Sequence, residues 1–394
     1  MVKNLNFKEH LIDDNFMYVF GISTVDLTGN GSLDIIAVDT NIGLYWYEND
    51  GNGTFTKHVI HEQTGQWLER HTVGDINNDG KPEVVFVDNI NGSILWFEYN
   101  GDPRDKKSWN YHYISDREFP SAYDVAVGDI NNDGKLEVAA SAYVHGGNKY
   151  SWFERSGTSW TQYLIEENIP NTKTVEFSDF TNNGFLDLLG CSTGNGEVII
   201  YKNLGNSNKN RWEKHIIDVF NGPKHGHAVD LNNNGNMDIL MTGSLSLHDI
   251  RSLKDTHLKN KAELNFMSQE KIVWYENPGD LNFEKRWVKH TICEGFSGFE
   301  AIATDLDNDG NIEVIASALG PSLTMKSGGI AVFKHNGNPK DAWDMKIIKD
   351  DWNEAHQILA VDVNSNGLKD IVGIANCAKP HTGKNELIWW ENLG

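Results

Sequence analysis

The nine residues Asp-Ile-Asn-Asn-Asp-Gly-Lys-Pro-Glu, from Asp75 to Glu83, contain the pattern that decides the fold. Acids stand at positions one and nine, Asn, Asp or Thr at position three, Asn or Asp at position five, and Gly at position six. The pattern recurs seven times, and successive copies begin 49 to 75 residues apart. The copies, called loops 1 to 7, are Asp26–Asp34, Asp75–Glu83, Asp129–Glu137, Asp179–Asp187, Asp230–Asp238, Asp305–Glu313 and Asp362–Asp370.

Each loop has the same surroundings. A short apolar run precedes it and a second run follows it, as Val84–Val87 follows loop 2. An aromatic run such as Trp46–Asn49 comes next, and then a run of alternating pattern such as Trp109–Ile114. β-Branched and aromatic runs bounded by Gly and Asn turns are typical of strands. Four strands in about 50 residues is the period of a propeller blade, so we predict an all-β, seven-bladed β-propeller with four antiparallel strands per blade.

The two ends of the sequence predict how the ring closes. The last repeat ends at Trp389–Gly394, after its third strand, and Phe7–Ile12 matches the fourth-strand pattern. The N-terminal strand is therefore expected to complete the last blade, which removes exposed strand edges. Residues 1–394 are expected to form a single propeller domain, with an insertion at about 244–270 in the fifth blade.

Composition excludes several partners. The formal net charge is −22, from 56 acidic and 34 basic residues, whereas a nucleic-acid ligand requires a basic stripe. No apolar run approaches the roughly 20 residues of a membrane-spanning helix. The three cysteines have no metal or redox spacing, and no disulfide framework is implied. The first residues contain no apolar signal core, so either the protein is intracellular or a leader has been removed.

The loops have the composition of a calcium site. Ca²⁺ takes six to eight oxygen ligands, and alternate positions of a tight loop turn their side chains inward, while Gly at position six permits the bend. An EF-hand is excluded because Phe86 stands at the twelfth position of loop 2, where a Glu is required, and both flanks read as strands. The predicted Ca²⁺ ligands are Asp26, Asp34, Asp75, Asn77, Asp79, Glu83, Asp129, Asn131, Asp133, Glu137, Asp179, Asp187, Asp230, Asp238, Asp305, Asp307, Asp309, Glu313, Asp362 and Asp370.

The number of acids ranks the seven loops. Loop 6 supplies four acids, loops 2 and 3 supply three each, and the other loops supply two each. We therefore expect Ca²⁺ first in loops 6, 2 and 3. For the four remaining loops the alternative is a turn without metal, in which Asp and Asn bond to backbone amides.

The repeat resembles the FG-GAP or VCBS repeat family over nearly the whole chain. The resemblance implies a calcium-bearing seven-bladed propeller of the kind found in integrin heads and in many secreted bacterial and fungal proteins. It also implies an extracellular or secreted location. Some relatives are lectin-like, and others are carbohydrate lyases or dehydratases, such as the propeller of aldos-2-ulose dehydratase. The resemblance does not imply one function, because propellers carry unrelated activities.

The face opposite the loops is the expected position of any functional site. Longer links lie there, and polar residues just before each inner strand are expected to surround the central opening. The candidate catalytic residues are Arg70, His71, Tyr123, His225, His227 and His356. The histidines are a candidate site for a transition metal such as Zn²⁺. Without a metal, a His or Tyr would abstract a proton beside a sugar carboxylate or carbonyl, while Arg70 or Lys173 stabilised the charge. The alternative is that these histidines are hydrogen-bonded fillers between blades.

Two functions follow from these residues. The first is a carbohydrate-active lyase or dehydratase with a single central site. The second is a non-catalytic, lectin-like propeller that binds glycan or protein through link aromatics, namely Trp67, Phe119, Phe220, Phe296 and Trp352. The alternative is that these aromatics pack between blades. Either way the expected partner is a saccharide, with no nucleic acid and no membrane, and a monomer is expected. The repeated fourth-strand histidines, His10, His58, His112, His215 and His290, are expected to be structural.

Overall fold

A computed structural model describes residues 5–40, 42–62, 67–143, 147–205, 212–244, 270–280, 282–376 and 384–394. In these residues the protein consists of seven four-stranded antiparallel sheets, which are the seven blades of a propeller. The described part contains no α-helix, one short 3₁₀ helix at Lys106–Ser108, and no helix with the length and hydropathy needed to cross a membrane. The predicted fold class is therefore confirmed.

Blades 1 to 6 run from an inner strand to an outer strand in chain order, and blade 7 takes β1 as its outer strand. The inner strands are β2 (Val19–Val25), β6 (Leu68–Gly74), β10 (Ala122–Gly128), β14 (Thr172–Ser178), β18 (Pro223–Val229), β22 (Gly298–Thr304) and β26 (Ala355–Val361). The second strands are β3 (Asp34–Asp39), β7 (Glu83–Asp88), β11 (Glu137–Ala142), β15 (Asp187–Ser192), β19 (Asp238–Gly243), β23 (Glu313–Ala318) and β27 (Asp370–Ala375).

The third strands are β4 (Gly43–Asn49), β8 (Ser93–Tyr99), β12 (Lys149–Ser156), β16 (Glu197–Asn203), β20 (Lys271–Glu276), β24 (Gly329–Lys334) and β28 (Glu386–Asn392). The outer strands are β5 (Phe55–Glu62), β9 (Trp109–Ser115), β13 (Ser159–Glu167), β17 (Trp212–Val219), β21 (Val288–Glu294), β25 (Asp344–Lys349) and β1 (Phe7–Asp13).

The core lies between neighbouring blades. Every residue of all seven second strands is buried, which explains their continuous apolar and small-residue composition. Outer strands alternate exposed and partly buried residues because one face of each meets solvent. The largest buried aromatics, including Trp46, Trp274 and Trp390, fill the spaces between sheets.

The N-terminal strand closes the ring as predicted. Strand β1 pairs antiparallel with β28, so that Phe7 lies opposite Asn392 and His10 lies opposite Trp389. The His10 ring stacks on the Trp389 ring with centroids 4.4 Å apart. Blade 7 is thus built from both ends of the chain. Residues 245–269, which make up the predicted insertion, lie outside the described residues.

The inner strands are irregular at a common place. Between Leu68 and His71 of β6 the register against β7 shifts, and a shift occurs near the start of every other inner strand. Such a bulge bends a strand and changes the direction of its side chains. The bulge therefore allows polar residues at consecutive positions of a strand to lie beside the central channel.

Candidate functional site

The seven loops share one turn, which connects the inner strand of each blade to the second strand. In loop 2, Oδ1 of Asp75 accepts a hydrogen bond from the N–H of Asp79 at 3.0 Å, and Oδ2 accepts from the N–H of Gly80 at 2.9 Å. Gly80 has a φ of 87°, which only Gly adopts at little cost. All seven position-one carboxylates accept from positions five and six in this way.

Loops 1, 4, 5 and 7 carry Asn at position five. In loop 7, Nδ2 of Asn366 donates to the carbonyl of Asn392 at 3.4 Å, and its Oδ1 accepts from the N–H of Leu368 at 2.8 Å. Loops 1 and 4 repeat both bonds, and loop 5 repeats the second. A carboxylate could make only the acceptor bond, whereas an amide makes both. This geometry fits the alternative of self-bonded turns in these four loops.

Loops 2 and 3 carry Asp at position five and Glu at position nine. Asp75, Asp79 and Glu83 each place a carboxylate oxygen within 4.8 Å of the others. Glu83 is buried, and burial raises the pKa of its carboxyl group to about 8. Glu137 at the same position of loop 3 is buried too, and burial raises its pKa to about 7. Hard oxygen ligands at a buried carboxylate are the donor set that Ca²⁺ prefers, so the residues of loop 2 fit this ion. Loop 3 carries the same residue types at positions one, three, five and nine, although its carboxylates do not converge as closely.

Loop 6 is the most acidic loop, but it contains a lysine. Nζ of Lys334, from the third strand of the same blade, lies 2.6 Å from Oδ2 of Asp307, 3.0 Å from Oδ2 of Asp309 and 3.1 Å from Oε1 of Glu313. The side chain of Lys334 is 8% exposed. The expected order of Ca²⁺ occupancy counted only the acids, and this ammonium changes the net charge of the loop.

The candidate catalytic residues lie on the inner strands and not in front of them. Arg70 and His71 belong to β6, Tyr123 to β10, His225 and His227 to β18, and His356 to β26. All except His227 are buried. Arg70, His71, His225 and His227 line a cavity in the centre of the ring, whereas Tyr123 and His356 are buried outside its lining. That all six residues surround an open mouth stays a prediction.

Aromatic rings close the channel on the side farther from the loops. The His356 ring lies 4.4 Å from the Phe20 ring and 3.6 Å from the Phe299 ring, between centroids. The His225 ring lies 4.7 Å from the Phe299 ring, and Nε2 of His225 is 3.2 Å from the hydroxyl of Tyr123. Nδ1 of His356 is 3.1 Å from the carbonyl oxygen of Phe20. His225 and His356 thus act here as packed, hydrogen-bonded fillers.

A cavity of about 290 Å³ lies nearer the loops, in the centre of the ring. Its polar lining comes from six blades. Residues three positions before the loops, such as Thr72, Glu176 and His227, are partly exposed. The polar groups in its wall are Arg70, His71, Thr72, Asp124, Thr174, Glu176, His225, His227, Glu300 and Gln357.

A charged network crosses this cavity. The imidazole of His227 lies between two carboxylates, with Nδ1 2.8 Å from Oε2 of Glu176 and Nε2 3.2 Å from Oε1 of Glu300. Nη2 of Arg70 lies 3.3 Å from Oε2 of the same Glu300, and Nη1 lies 3.9 Å from Oδ1 of Asp124. Five charged groups from five blades therefore contact one another in sequence.

The network sets the protonation of its members. Burial alone would lower the pKa of His227, but Glu176 and Glu300 raise it to about 10, so the ring is cationic at neutral pH. Burial would raise the pKa of Glu300, but Arg70 and His227 hold it below its usual value. Burial raises the pKa of Asp124 to about 6. The cavity therefore contains cations and anions in nearly equal number.

Three consecutive residues of β6 carry unpaired polar atoms. Both ring nitrogens of His71, Nε of Arg70 and Oε2 of Glu69 are buried and have no hydrogen-bond partner in the structure. The His71 ring stacks on the Phe86 ring with centroids 4.6 Å apart, and burial lowers its pKa to about 3, so it is neutral. Buried polar atoms are nearly always paired, and an unpaired group indicates a missing water, ion or ligand.

The predicted histidine metal centre is not supported by this geometry. Within the described ranges, the groups of three or more potential ligand side chains lie in loops 2 and 6, and none combines His71, His225, His227 and His356. His227 is held by carboxylates and His356 by a backbone carbonyl. The four imidazoles thus make separate contacts and do not converge on one point.

The link aromatics and the outer histidines also have defined positions. Phe119, Phe296 and Trp352 are buried between blades, which corrects the expectation that they are exposed for stacking on sugars. Outer-strand histidines stack on aromatic rings and contact third-strand glutamates, as His58 does with Trp46 and Glu48, so their structural role is confirmed. Four of these histidines pack their imidazole against a tryptophan ring, namely His10, His58, His112 and His290.

Two functional residues were missed by the sequence analysis. Glu176 and Lys334 had no place in the predicted sites, although a signal existed for Lys334. It stands where most blades have the Glu of the aromatic-Glu-Asn run, as in Glu276 and Glu391. Glu176 has no equivalent acid in the other inner strands, and only the folded ring brings it to His227.

Comparisons with known proteins agree with this architecture. The family model of the FG-GAP-like repeat matches residues 26–86, 75–140 and 179–241. No curated protein sequence matches the chain. The crystal structure of BBS1N in complex with ARL6DN has a TM-score of 0.58 at 10% identity and covers 99% of this chain and 98% of its own. A luciferin-regenerating enzyme has a TM-score of 0.45 at 9% identity and covers 99% of this chain and 96% of its own.

At these identities the likeness to solved structures concerns the fold. The matched segments include loops 1 to 5 and thus join the repeat seen in the sequence to the blades seen in the structure. Seven four-stranded blades, seven turns of one geometry and closure by the first strand agree with that assignment. The chain carries FG-GAP-like repeats and has a seven-bladed β-propeller fold.

Proposed function

We propose that the protein binds a small, uncharged, polyhydroxylated ligand, such as a single sugar residue, in its central cavity, and that Ca²⁺ in loops 2 and 3 stabilises the propeller. The observation that carries the proposal is the set of unpaired buried atoms on Glu69, Arg70 and His71. Arg70 and His71 line the cavity directly. A hydroxylated ligand would supply the missing partners.

The size of the cavity limits the ligand. Ligand pockets usually enclose about 300–1,000 Å³, so a cavity of about 290 Å³ is at the small end of the range. A single ring fits this space better than a chain of residues does.

The charge of the cavity limits the ligand further. Arg70 and His227 are already paired with Glu176, Glu300 and Asp124. An anionic sugar would meet these carboxylates without a free cation to compensate it, because each cation is already neutralised. A neutral sugar instead offers hydroxyl groups that both donate and accept. The network therefore favours a neutral ligand over a uronate.

The test uses a change that spares the fold. His71→Phe keeps an aromatic ring against Phe86 but removes both ring nitrogens, which bond to nothing in the protein. Losing one or two hydrogen bonds should weaken ligand binding by roughly 3- to 30-fold without loss of stability. Saturation-transfer NMR with a panel of neutral monosaccharides and uronates would measure binding, with His112→Phe on an outer strand as the control. Unchanged binding in His71→Phe, or no binding of any neutral sugar, would contradict the proposal.

An eliminating enzyme is a second candidate, and one observation favours it. The hydroxyl of Tyr123 lies 3.2 Å from Nε2 of His225. Burial, with a smaller contribution from Arg70, lowers the pKa of His225 well below 6.5, so the ring is neutral and can accept a proton. Such a Tyr–His pair would suit proton abstraction from a keto sugar. Ultraviolet absorbance of an unsaturated product, formed by the wild type and not by Tyr123→Phe, would support it, and its absence with ligands that bind would exclude it.

A further inference from the structure

Loop 6 has a lysine of the third strand among its carboxylates. Lys334 extends from β24 to Asp307, Asp309 and Glu313 at 2.6 to 3.1 Å. The ammonium group has three donors and meets three carboxylates. The fourth acid, Asp305, is occupied by the backbone N–H groups of Asp309 and Gly310.

The equivalent position in the other blades is usually acidic. It holds Glu in five blades and Lys in two, in the order Glu48, Glu98, Glu154, Lys202, Glu276, Lys334 and Glu391. In loop 2, Oε2 of Glu98 accepts from Nδ2 of Asn77 at 3.2 Å, so an acidic third-strand residue goes with an amide at position three. In loop 6 the acid stands at position three, as Asp307, and the third strand supplies the base Lys334 beside it.

Lys202, the other lysine, stands beside a different kind of loop. Loop 4 has Thr181 at position three and Asn183 at position five, and Asn183 closes the turn through its own amide. Loop 4 therefore has no carboxylate group at these two positions for an ammonium to neutralise. Only loop 6 combines an acid at position three, an acid at position five and a third-strand lysine.

We propose that the ammonium of Lys334 takes the place of the metal ion in loop 6, so that the chain binds two Ca²⁺ ions, in loops 2 and 3, and loop 6 folds without one. The count of two rests on the calcium role proposed above, whereas the exclusion of Ca²⁺ from loop 6 does not. A divalent ion among the same oxygens would lie within a few ångströms of Lys334 and be repelled. Loops 1, 4, 5 and 7 need no ion because an Asn amide closes them.

Two buried acceptors in loop 6 have no hydrogen-bond partner, namely Oδ1 of Asp307 and Oε1 of Glu313. Oε1 of Glu313 meets Lys334 only as an ion pair at 3.1 Å. Asp305, Asp307 and Glu313 also lie close enough together to hold an ion. The rival outcome is therefore specific: loop 6 of the wild type binds Ca²⁺ through these three carboxylates, with Lys334 beside it.

Counting bound Ca²⁺ decides between the two. The metal-free protein would be titrated with Ca²⁺ by calorimetry, and the bound ions would be counted by native mass spectrometry. We expect two ions in the wild type and three in Lys334→Met, which frees three carboxylates. The matched control Lys202→Met should still bind two. Asp79→Asn, which disrupts loop 2, should bind one.

Asp309→Asn provides a second, independent test if Lys334→Met does not fold. It removes an acid from loop 6 in the presence of the lysine, so the count should remain two. A loss of one ion in Asp309→Asn, or a folded Lys334→Met that gains none, would overturn the proposal. If the wild type binds no ion while Lys334→Met binds one, the calcium role of loops 2 and 3 fails and the role of Lys334 stands.

Discussion

Asn392 donates a hydrogen bond from Nδ2 to the carbonyl oxygen of Leu306 at 2.7 Å, across 86 residues of sequence. Leu306 is the second residue of loop 6, so the bond joins blade 7 to the loop of the preceding blade. The same amide donates to the carbonyl of Lys369 at 3.0 Å, within its own blade. The N–H of Asn392 donates to Oδ1 of the buried Asp370 at 2.7 Å. One residue thus ties two blades and one loop together.

The bond to the preceding loop recurs around the ring. Asn49, Asn203 and Asn277 make it to Val363, Ile130 and Phe180. In blades 2 and 3 a longer side chain reaches the equivalent carbonyl, from the hydroxyl of Tyr99 to Leu27 at 3.1 Å and from Nη1 of Arg155 to Ile76 at 3.4 Å. The four blades with Asn are those with Asp at position nine, and the two with longer side chains have Glu there. The residue at position nine of a loop and the side chain that makes the inter-blade hydrogen bond therefore vary together.

Replacing Asn392 by Ala should lower the free energy of unfolding by about 2–4 kcal/mol. The change leaves the buried carbonyl group of Leu306 without its donor, at about 1–3 kcal/mol, and removes a part-buried hydrogen bond to Lys369, worth about 0.5–1.5 kcal/mol. Urea unfolding followed by tryptophan fluorescence would measure the loss. Asn110→Ala is the control, since Asn110 is exposed and makes one long bond of 3.4 Å. Equal stability of the two variants would show that the inter-blade bond contributes little.

Replacing Gly21 by Ala should destabilise the first inner strand. A Cβ atom there would lie 2.7 Å from the carbonyl oxygen of Glu69 and 2.9 Å from Nδ1 of His71. Because the first of these contacts is backbone, the strand itself must shift, at a cost of about 1–3 kcal/mol. Thermal unfolding would measure it against Gly320→Ala, where nothing lies within 4 Å of the added atom. The shift should also displace His71 and weaken sugar binding, and an unaltered melting temperature would contradict the close contact.

The repeat carried enough information to predict the fold. Seven acidic turns at intervals of about 50 residues, with Trp389–Gly394 lacking a fourth strand, specify both the number of blades and the closure by Phe7–Ile12. Local composition was sufficient here because each blade repeats the same strand pattern. The sequence also predicts which loops can close without a metal ion, since Asn at position five supplies an amide that closes the turn and Asp does not.

The central site was not predictable in the same way. His225 and His356 were expected beside an open mouth, but both are buried with their rings against Phe299, and His225 also lines the cavity. The pairing of His227 with Glu300, 73 residues apart, depends on two neighbouring blades meeting beside the channel. Such contacts depend on how the blades are arranged around the ring, which the sequence of one blade does not indicate.

Stability should fall as pH rises above neutrality, because His227 has a raised pKa. The ring titrates near 6.5 when unfolded and at about 10 when held by Glu176 and Glu300. Its contribution is therefore complete below pH 6.5 and is lost as pH rises toward 10. One pKa unit corresponds to about 1.4 kcal/mol, and because the ring is partly exposed we expect a total of about 1–3 kcal/mol. Unfolding free energies measured in urea from pH 6 to 10 would show the decline.

The variant His227→Gln separates this effect from other titrating groups. Glu69, whose carboxyl pKa burial raises to about 8, titrates in the same range and is unchanged by the substitution. The variant should be less stable than the wild type at pH 6, and the difference should narrow as pH rises. A constant difference across the range would mean that His227 is not charged between its two carboxylates.

Removing residues 1–12 should open the ring at blade 7 and cause aggregation. The truncation leaves β28 with an unpaired edge and removes Leu5 and Phe7 from the core, each worth about 1.5–3 kcal/mol when buried. It also removes the stacking of His10 on Trp389. Light scattering and thermal unfolding would detect the exposed edge, and a shorter truncation of residues 1–4 is the control. A monomeric product with the melting temperature of that control would show that the other strands of blade 7 hold the ring closed without β1.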